Sequence, residues 1–431
     1  MADAGDGAGQ VIATKRHVLA AVLGNALEFY DFITYSFFAI QIGHAFFPSK
    51  DPFASLMLSL GTFGAGFLTR PIGGFVLGAF ADRAGRRASM MVSYVMMGSA
   101  ITAMALIPPF RTIGIWAPIL ALTARMVQGF SLGGEVGGVM AFLTESAPPR
   151  RRGLMVAWQP ASQAVAAVSG SSIGLAFSAL MPAQFLDDYG WRIAFLVGVL
   201  TVPLGLVLRR ALPETLHAPE ANPVPAAGGG SLRVIVLSVM VLGGGTISTY
   251  VLDYMTTFAQ SALHMGRTVA FAATLLPNAV AFGAVLLGGS ISDRLGRRPV
   301  MIWTQAIYVL LALPVFLLIV SQRTPLTLIS GSCLLAFLST FAMGAFYPAF
   351  SESLPKAMRG RGVAITYACA IAVFGGTTQP VITWLIHATG RAEAPGFYLA
   401  AALLMALIGM SLILESAPVR TAPLEAKPAT A

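Results

Sequence analysis

Residues 73–87 read GGFVLGAFADRAGRR, and residues 287–298 read LGGSISDRLGRR. Each stretch begins inside an apolar segment and ends in a knot of charge. Asp82, Arg83, Gly85, Arg86 and Arg87 map onto Asp293, Arg294, Gly296, Arg297 and Arg298 at one fixed offset of 211 residues (293 − 82). A second set agrees. Glu145, Pro148, Arg152 and Gly153 return as Glu352, Pro355, Arg359 and Gly360, at an offset of 207 (352 − 145). Two motifs that repeat at nearly one long offset mean a duplicated chain.

The composition says what medium holds the two copies. Of 431 residues, 56% are hydrophobic and only 10% are charged, and the mean hydropathy is +0.76. A soluble domain carries roughly 25% charged residues. This chain is therefore an integral membrane protein, and two parallel membrane repeats imply a site between them. The net charge of +9 sits in short clusters between apolar runs, so topology accounts for it and a nucleic-acid partner does not. Cys333 and Cys369 both lie in apolar segments, which indicates neither a disulfide framework nor a metal site. The first seventeen residues are small and polar, and no cleavage site follows a short apolar core, so the first helix is expected to stay uncleaved.

Twelve segments are long enough to span a bilayer, which takes about 20 apolar residues. They fall near 18–46, 54–80, 88–108, 114–144, 154–180, 191–209, 233–259, 268–291, 299–320, 325–350, 361–388 and 396–414. The expected fold is an all-α membrane protein with twelve transmembrane helices in two six-helix halves, 18–210 and 232–414. Residues 1–17 form an N-terminal tail. The polar, Pro- and Gly-rich stretch 211–231 reads as a linker. The tail 415–431 has three prolines and no heptads, and is expected to be disordered. Lys and Arg cluster on one side, at 83–87, 150–152, 209–210, 294–298 and 356–361. Only Lys50, Arg111, Arg192, Arg267, Arg323 and Arg391 fall on the other. The positive-inside rule then predicts cytoplasmic termini and a cytoplasmic linker.

Ionisable residues inside membrane helices are costly and mark function by default. The first helix reads GNALEFYDFITY, where Asn25, Glu28, Phe32 and Tyr35 fall on one face and Asp31 is expected to share that side. Two carboxylates this close repel each other, so one is expected to hold a proton while the other is charged. Proton coupling requires such a group, and a structural ion pair to an Arg is the alternative for each acid. The fourth helix reads ARMVQGFSLGGEVGG and places Arg125, Gln128, Leu132 and Glu135 in a narrow arc. An Arg in low dielectric grips a carboxylate bidentately, unless Glu28, Asp31 or Glu135 pairs with it. Arg70 is the only charge between Phe53 and Ala81. It is expected to bind an anion or to make a gating ion pair. On the fifth helix Trp158, Gln159, Ser162 and Gln163 form a polar stripe that suits a polar ligand or interhelical hydrogen bonds. The second half is plainer: Asp253 lies beside Tyr250 and Tyr254, with Asn278, Tyr347, Tyr367, Thr377 and Gln379 elsewhere. The N-terminal half is thus expected to carry the ion chemistry. His264 and His387 fall near helix ends and read as surface residues. Gly129, Gly133 and Gly137 give GxxxGxxxG, which inside a membrane helix reads as close packing and not as a phosphate loop. No P-loop, HExxH, GxSxG or CxxC is present, so nothing argues for an ATPase or a hydrolase.

The DRAGRR and DRLGRR loops resemble those of the major facilitator superfamily over nearly the whole chain. GNALEFYDF, FLTRPIGG, RMVQGFSLGGEVGG, ESAPPRRRG and YGWRIAF resemble its metabolite:proton symporters. The run 53–74 together with WQPASQ is most similar to the citrate–proton symporter branch. The osmosensing members carry a long C-terminal coiled coil, and this chain lacks one. The resemblance implies a major facilitator fold with alternating access, in a multi-pass protein of the bacterial inner membrane. It implies a proton-driven carrier of citrate or a related tri- or dicarboxylate, or else of shikimate, 2-oxoglutarate, betaine or proline. The resemblance also implies that the protein is not an enzyme and needs no cofactor beyond the proton as coupling ion. The expected partners are a small organic anion and the lipid bilayer, for a protein acting as a monomer. Arg125, Arg70, Gln128, Asn25, Tyr35, Gln159 and Gln163 are the candidate substrate ligands. Asp31, Glu28 and Glu135 are the candidate proton carriers. Asp82, Arg83, Arg86 and Arg87, with Asp293, Arg294, Arg297 and Arg298, are the candidate gate, because such charges can pair with helix ends only when that side is closed.

Overall fold

The computed structural model describes residues 15–210, 229–354 and 356–421. Among the described residues there are helices and no strands. Span 1 is Lys15–Phe37, continued after a turn at Phe38 by Ala39–Phe46. Span 2 is Pro52–Leu68 with Arg70–Ala84, and span 3 is Arg86–Leu106. Span 4 is Trp116–Ser131, a 3-10 turn at Leu132–Gly134, then Glu135–Ser146. Span 5 is Arg152–Leu180 and span 6 is Trp191–Arg210. Span 7 is Gly229–Asp253 with Met255–Ser261, span 8 Arg267–Leu295, span 9 Arg297–Gln322 and span 10 Pro325–Ser353. Span 11 joins Lys356–Ala370 to Gly376–Thr389 through a π turn at Ile371–Gly375, and span 12 is Ala394–Leu412. Eight stretches among the described residues cross a bilayer on length and composition alone. The outward faces fit lipid: Phe75 is 81% exposed, Leu310 72% and Trp303 71%, which water would penalise and hydrocarbon does not.

Two boundaries differ from expectation. The linker at 211–231 lies largely outside the described residues, and span 7 already begins at Gly229. The tail expected to be disordered from 415 is ordered as far as Thr421, and Pro418–Thr421 is helical. The reason is local hydrogen bonding. The Glu415 carboxylate accepts from the backbone N–H groups of Arg297 (2.9 Å), Arg298 (3.0 Å), Ser416 (3.1 Å) and Ala417 (2.9 Å). It thereby satisfies the free donors at the start of span 9.

Glycine sets how closely spans 2 and 4 approach. A Cβ on Gly129 would lie 1.6 Å from the Gly66 carbonyl oxygen, and one on Gly133 would lie 2.1 Å from that of Arg70. Only hydrogen fits there, as close helix packing in membranes requires. The same packing sets the Arg125 carbonyl against Gly66 and the Arg70 carbonyl against Gly133.

The two halves touch at both faces. On the face bearing the basic clusters, the Asp293 carboxylate of span 8 accepts from the N–H groups of Gly153 (2.8 Å) and Leu154 (3.0 Å) at the start of span 5. Arg297 is fully buried. It pairs with Asp293 at 2.7 Å and with Glu352 at 3.3 Å. The Thr144 and Ser351 hydroxyls meet at 2.9 Å. Deep in the bundle the backbones of spans 2 and 11 meet at Gly64 and Gly376, and on the far face Phe53 stacks on His387 at 3.8 Å. Arg267 pairs there with Asp187 at 2.8 Å. The interior between the halves is therefore enclosed from both sides.

The Asp293 contacts are helix capping across the halves, which is worth about 0.5–2 kcal/mol. Asp293→Asn is expected to loosen the basic face by roughly 2- to 30-fold in open population. The readout is labelling of Thr144→Cys by an impermeant maleimide, with Cys333 and Cys369 replaced by Ser. An unchanged labelling rate would remove Asp293 from the gate.

Candidate functional site

Two guanidinium groups share one aromatic ring at the centre of the first half. The Cζ of Arg70 lies 4.1 Å from the Phe32 ring centroid, and that of Arg125 lies 4.3 Å from it. Phe67 (4.6 Å) completes the setting of Arg70, and Tyr35 (4.5 Å) and Phe63 (5.1 Å) that of Arg125. The spacing explains the cluster. Phe63, Phe67 and Arg70 recur at four and three residues along span 2, and Phe32 and Tyr35 at three along span 1. Arg125 is 0% exposed and Arg70 4%.

Among the described residues these two cations form no ion pair with an acid. Arg125 Nη1 donates to the Gln128 side chain at 2.7 Å, while its Nε and Nη2 have no hydrogen-bond partner. The Nε and Nη2 of Arg70 are likewise unpartnered. Neither makes an ion pair to a carboxylate among the described residues. Two buried positive charges so close repel each other, and ring faces compensate only part of that cost.

The other expected ligands surround this centre. Tyr35 donates its hydroxyl to the Ser59 carbonyl at 3.2 Å. Asn25 donates to Ser162 at 2.7 Å and to the Gln159 carbonyl at 3.3 Å, tying span 1 to span 5. Both side-chain polar atoms of Gln159 and the Nε2 of Gln128 are buried without partners. Gln163 donates to the Tyr367 hydroxyl at 3.3 Å, across the interface between the halves. The second half adds Tyr250, whose ring lies 5.3 Å from Phe67 and 6.0 Å from Phe63. It also adds Gln379, which donates to Ser36 and, at 3.4 Å, to the Tyr250 carbonyl. The π turn of span 11 sits against this group, with Gly375 packed on Phe67 and Tyr250. Such bulges often accompany functional sites.

The acids separate. Asp31 is 1% exposed, and neither of its oxygens has a hydrogen-bond partner. It does not share the Phe32 side as expected: it packs against Gly198 of span 6, where a Cβ would lie 1.6 Å from Oδ1. Arg125 is within electrostatic reach but forms no ion pair with it. Residues 31 and 32 point about 100° apart on a helix, so the carboxyl and the ring face different neighbours. A 3-10 turn at Leu132–Gly134 interrupts span 4 between Arg125 and Glu135. The side chains of Glu28, Glu135, Asp82, Arg86 and Arg87 lie outside the described residues.

Among the remaining charges of the two repeated loops, Arg83 and Arg294 are exposed. Arg298 donates to the Ser411 carbonyl at 2.8 Å. Asp293 and Arg297 form the network described above. Glu415 and Ser416, which donates to Glu352 at 2.8 Å, join it from the tail. Their contribution has no sequence signature beyond an isolated acid in a polar segment. Phe63 and Phe67 did carry a signal, since both share the helical face of Arg70.

Comparisons with known proteins agree with this architecture. The family model of the Major Facilitator Superfamily matches residues 21–374 and 279–430. The chain is 37% identical over 398 residues to a citrate-proton symporter of Klebsiella pneumoniae, covering 91% of this chain and 90% of that one. It is 32% identical over 417 residues to the glycine betaine/proline/ectoine/pipecolic acid transporter OusA of Dickeya dadantii, covering 92% and 82%. Its fold is similar to that of the xylose transporter XylE from E. coli in a partially occluded inward-open conformation. The TM-score is 0.76 at 16% identity, covering 93% of this chain and 98% of that one. The duplicated loops, the twelve spans and these matches lead to one assignment: the chain belongs to the Major Facilitator Superfamily, alongside the citrate–proton symporters.

Proposed function

We propose that this protein is a secondary active transporter that takes up citrate, or a related tri- or dicarboxylate, together with protons. The observation that carries the reading is the pair of buried guanidinium groups, Arg70 and Arg125, with free N–H donors and no acidic partner among the described residues. Each planar fork matches one carboxylate, and two forks on one ring match a substrate with at least two. A zwitterion such as betaine fits less well. Its ammonium group would have to approach two cations that already occupy the aromatic faces best suited to it.

The mechanism follows from what closes each face. Substrate enters from the far face when the Gly64–Gly376 and Phe53–His387 contacts part, and its carboxylates neutralise Arg70 and Arg125. Neutralisation lets the halves close as they stand here. Release at the basic face requires Asp293 to leave the start of span 5. Asp31 loads a proton with the substrate and discharges it on the other side. The basic face is cytoplasmic, the membrane is the bacterial inner membrane, and the monomer is the working unit. Alternating access then exposes this one site to each side of the membrane in turn as the halves rock about it.

The test is labelled citrate uptake into proteoliposomes under an imposed inward proton gradient. Accumulation is expected, abolished by a protonophore and competed by tricarballylate but not by betaine. No accumulation of citrate, with labelled betaine accumulated under the same gradient, would replace this reading with that of a compatible-solute carrier.

A further inference from the structure

Span 7 holds an acid that this transport cycle does not use. Asp253 is 3% exposed, three residues from Tyr250, and stands where span 7 breaks between Asp253 and Met255. It makes no ion pair among the described residues. Its hydrogen bond comes from Asn278 Nδ2 of span 8 at 3.4 Å, and that amide also donates to the Thr274 carbonyl at 3.0 Å. The amide nitrogen is therefore turned to the acid and the chain, which leaves the Asn278 carbonyl oxygen available. One turn beyond Asp253, the Thr257 hydroxyl is buried, 1% exposed and without a hydrogen-bond partner.

The surrounding elements supply no cation. On its own span the titratable neighbours are Tyr250 and Tyr254. Spans 8 and 10 carry charge only toward their ends, at Arg267, Asp293, Arg294 and Glu352, and the charges of span 11, including His387, also lie toward its ends. Span 12 has none, and its titratable group is Tyr398. The interior groups of spans 10 and 11 are the neutral Tyr347 and Tyr367. In span 1, Asp31 faces span 6, and Arg125 and Arg70 sit on Phe32. A carboxylate held in the membrane interior among hydroxyls and an amide needs a counter-cation.

We propose that Asp253, with Thr257 and Asn278, forms a second coupling-cation site, separate from Asp31 and placed in the other half. The cation is a proton on the carboxyl, or a sodium ion held by the oxygens of the three side chains, whose hardness suits it. The site lies on the far-face side of Tyr250, because span 7 runs from the basic face to the far face and Asp253 follows Tyr250 by one turn. It therefore loads from the far face and moves one further positive charge inward per cycle. This inference rests on the carboxylate-symport reading and adds a second ion to it.

The experiment measures coupling stoichiometry. Wild-type and Asp253→Asn protein in proteoliposomes are poised at a series of proton gradients, and the gradient at which net citrate flux reverses is determined. Asp253→Asn is expected to require one proton fewer per citrate and to keep the wild-type citrate affinity. In a parallel arm a sodium gradient replaces the proton gradient. Flux driven by sodium in wild type and lost in Asp253→Asn would identify the ion as sodium. Equal stoichiometry and equal ion dependence in the two proteins would overturn the proposal. Asp253→Glu, which keeps the carboxyl, is expected to retain wild-type coupling, and loss in Glu as well as Asn would mark a purely structural residue. If wild type carries no citrate at all, the substrate reading fails instead. The site is then judged by an infrared carbonyl band, or by sodium-dependent thermal protection, present in wild type and absent in Asp253→Asn.

Discussion

Arg125→Ala is expected to abolish saturable citrate uptake, raising the half-saturating concentration by roughly 100-fold or more, because truncating a buried, hydrogen-bonded charge partner costs about 2–5 kcal/mol. The protein itself should survive the change. Arg125 is buried beside a second cation, with Asp31 in electrostatic reach but no ion pair to a carboxylate among the described residues. Removing it relieves that repulsion while sacrificing one hydrogen bond to Gln128 and the ring contacts. Thermal stability in detergent without substrate is therefore expected to equal or exceed that of wild type, and the stabilisation that citrate confers should disappear. This combination separates a binding residue from a structural one. Arg125→Lys keeps the charge and loses the planar fork, so it should bind citrate more weakly than wild type yet better than Arg125→Ala. Normal affinity in Arg125→Ala would transfer the anion site elsewhere.

Much of this arrangement was legible in the sequence, for reasons that can be named. The repeated DRAGRR and DRLGRR loops gave the duplication, and the alternation of basic and non-basic loops gave the count of twelve. Arg70 and Arg125 stood out because charges are rare in apolar helices. Glycine at a spacing of four predicted the close approach of helices that now positions both. The orientation of Asp31 was not legible. A periodicity gives an angle on a helix but does not say which neighbour occupies that angle, and here Gly198 leaves the space that the carboxyl fills. The 3-10 turn in span 4 was hidden in the same way, inside a glycine run compatible with a continuous helix. The role of Glu415 was unreadable because it depends on where span 9 begins in space, not on any residue near it in sequence.

The position of Asp31 also sets what its neutralisation should do. Asp31→Asn removes the titrating group and keeps the shape that packs against Gly198. The substrate centre on Phe32 is on another side of span 1, so citrate binding should stay within a few-fold of wild type. Concentrative uptake should weaken: under an inward proton gradient the internal-to-external citrate ratio is expected to fall to what the Asp253 site alone sustains, and to about one, the value without a coupled ion, when Asp31→Asn and Asp253→Asn are combined. Counterflow of labelled citrate against unlabelled citrate should persist, because it needs the conformational change but no net proton movement. The two assays together decide the assignment. Loss of both would make Asp31 a structural residue of the span 1–span 6 contact. Accumulation at the wild-type level would move the proton to Glu28 or Glu135, and Glu28→Gln would then be expected to produce the split between accumulation and counterflow that Asp31→Asn failed to show.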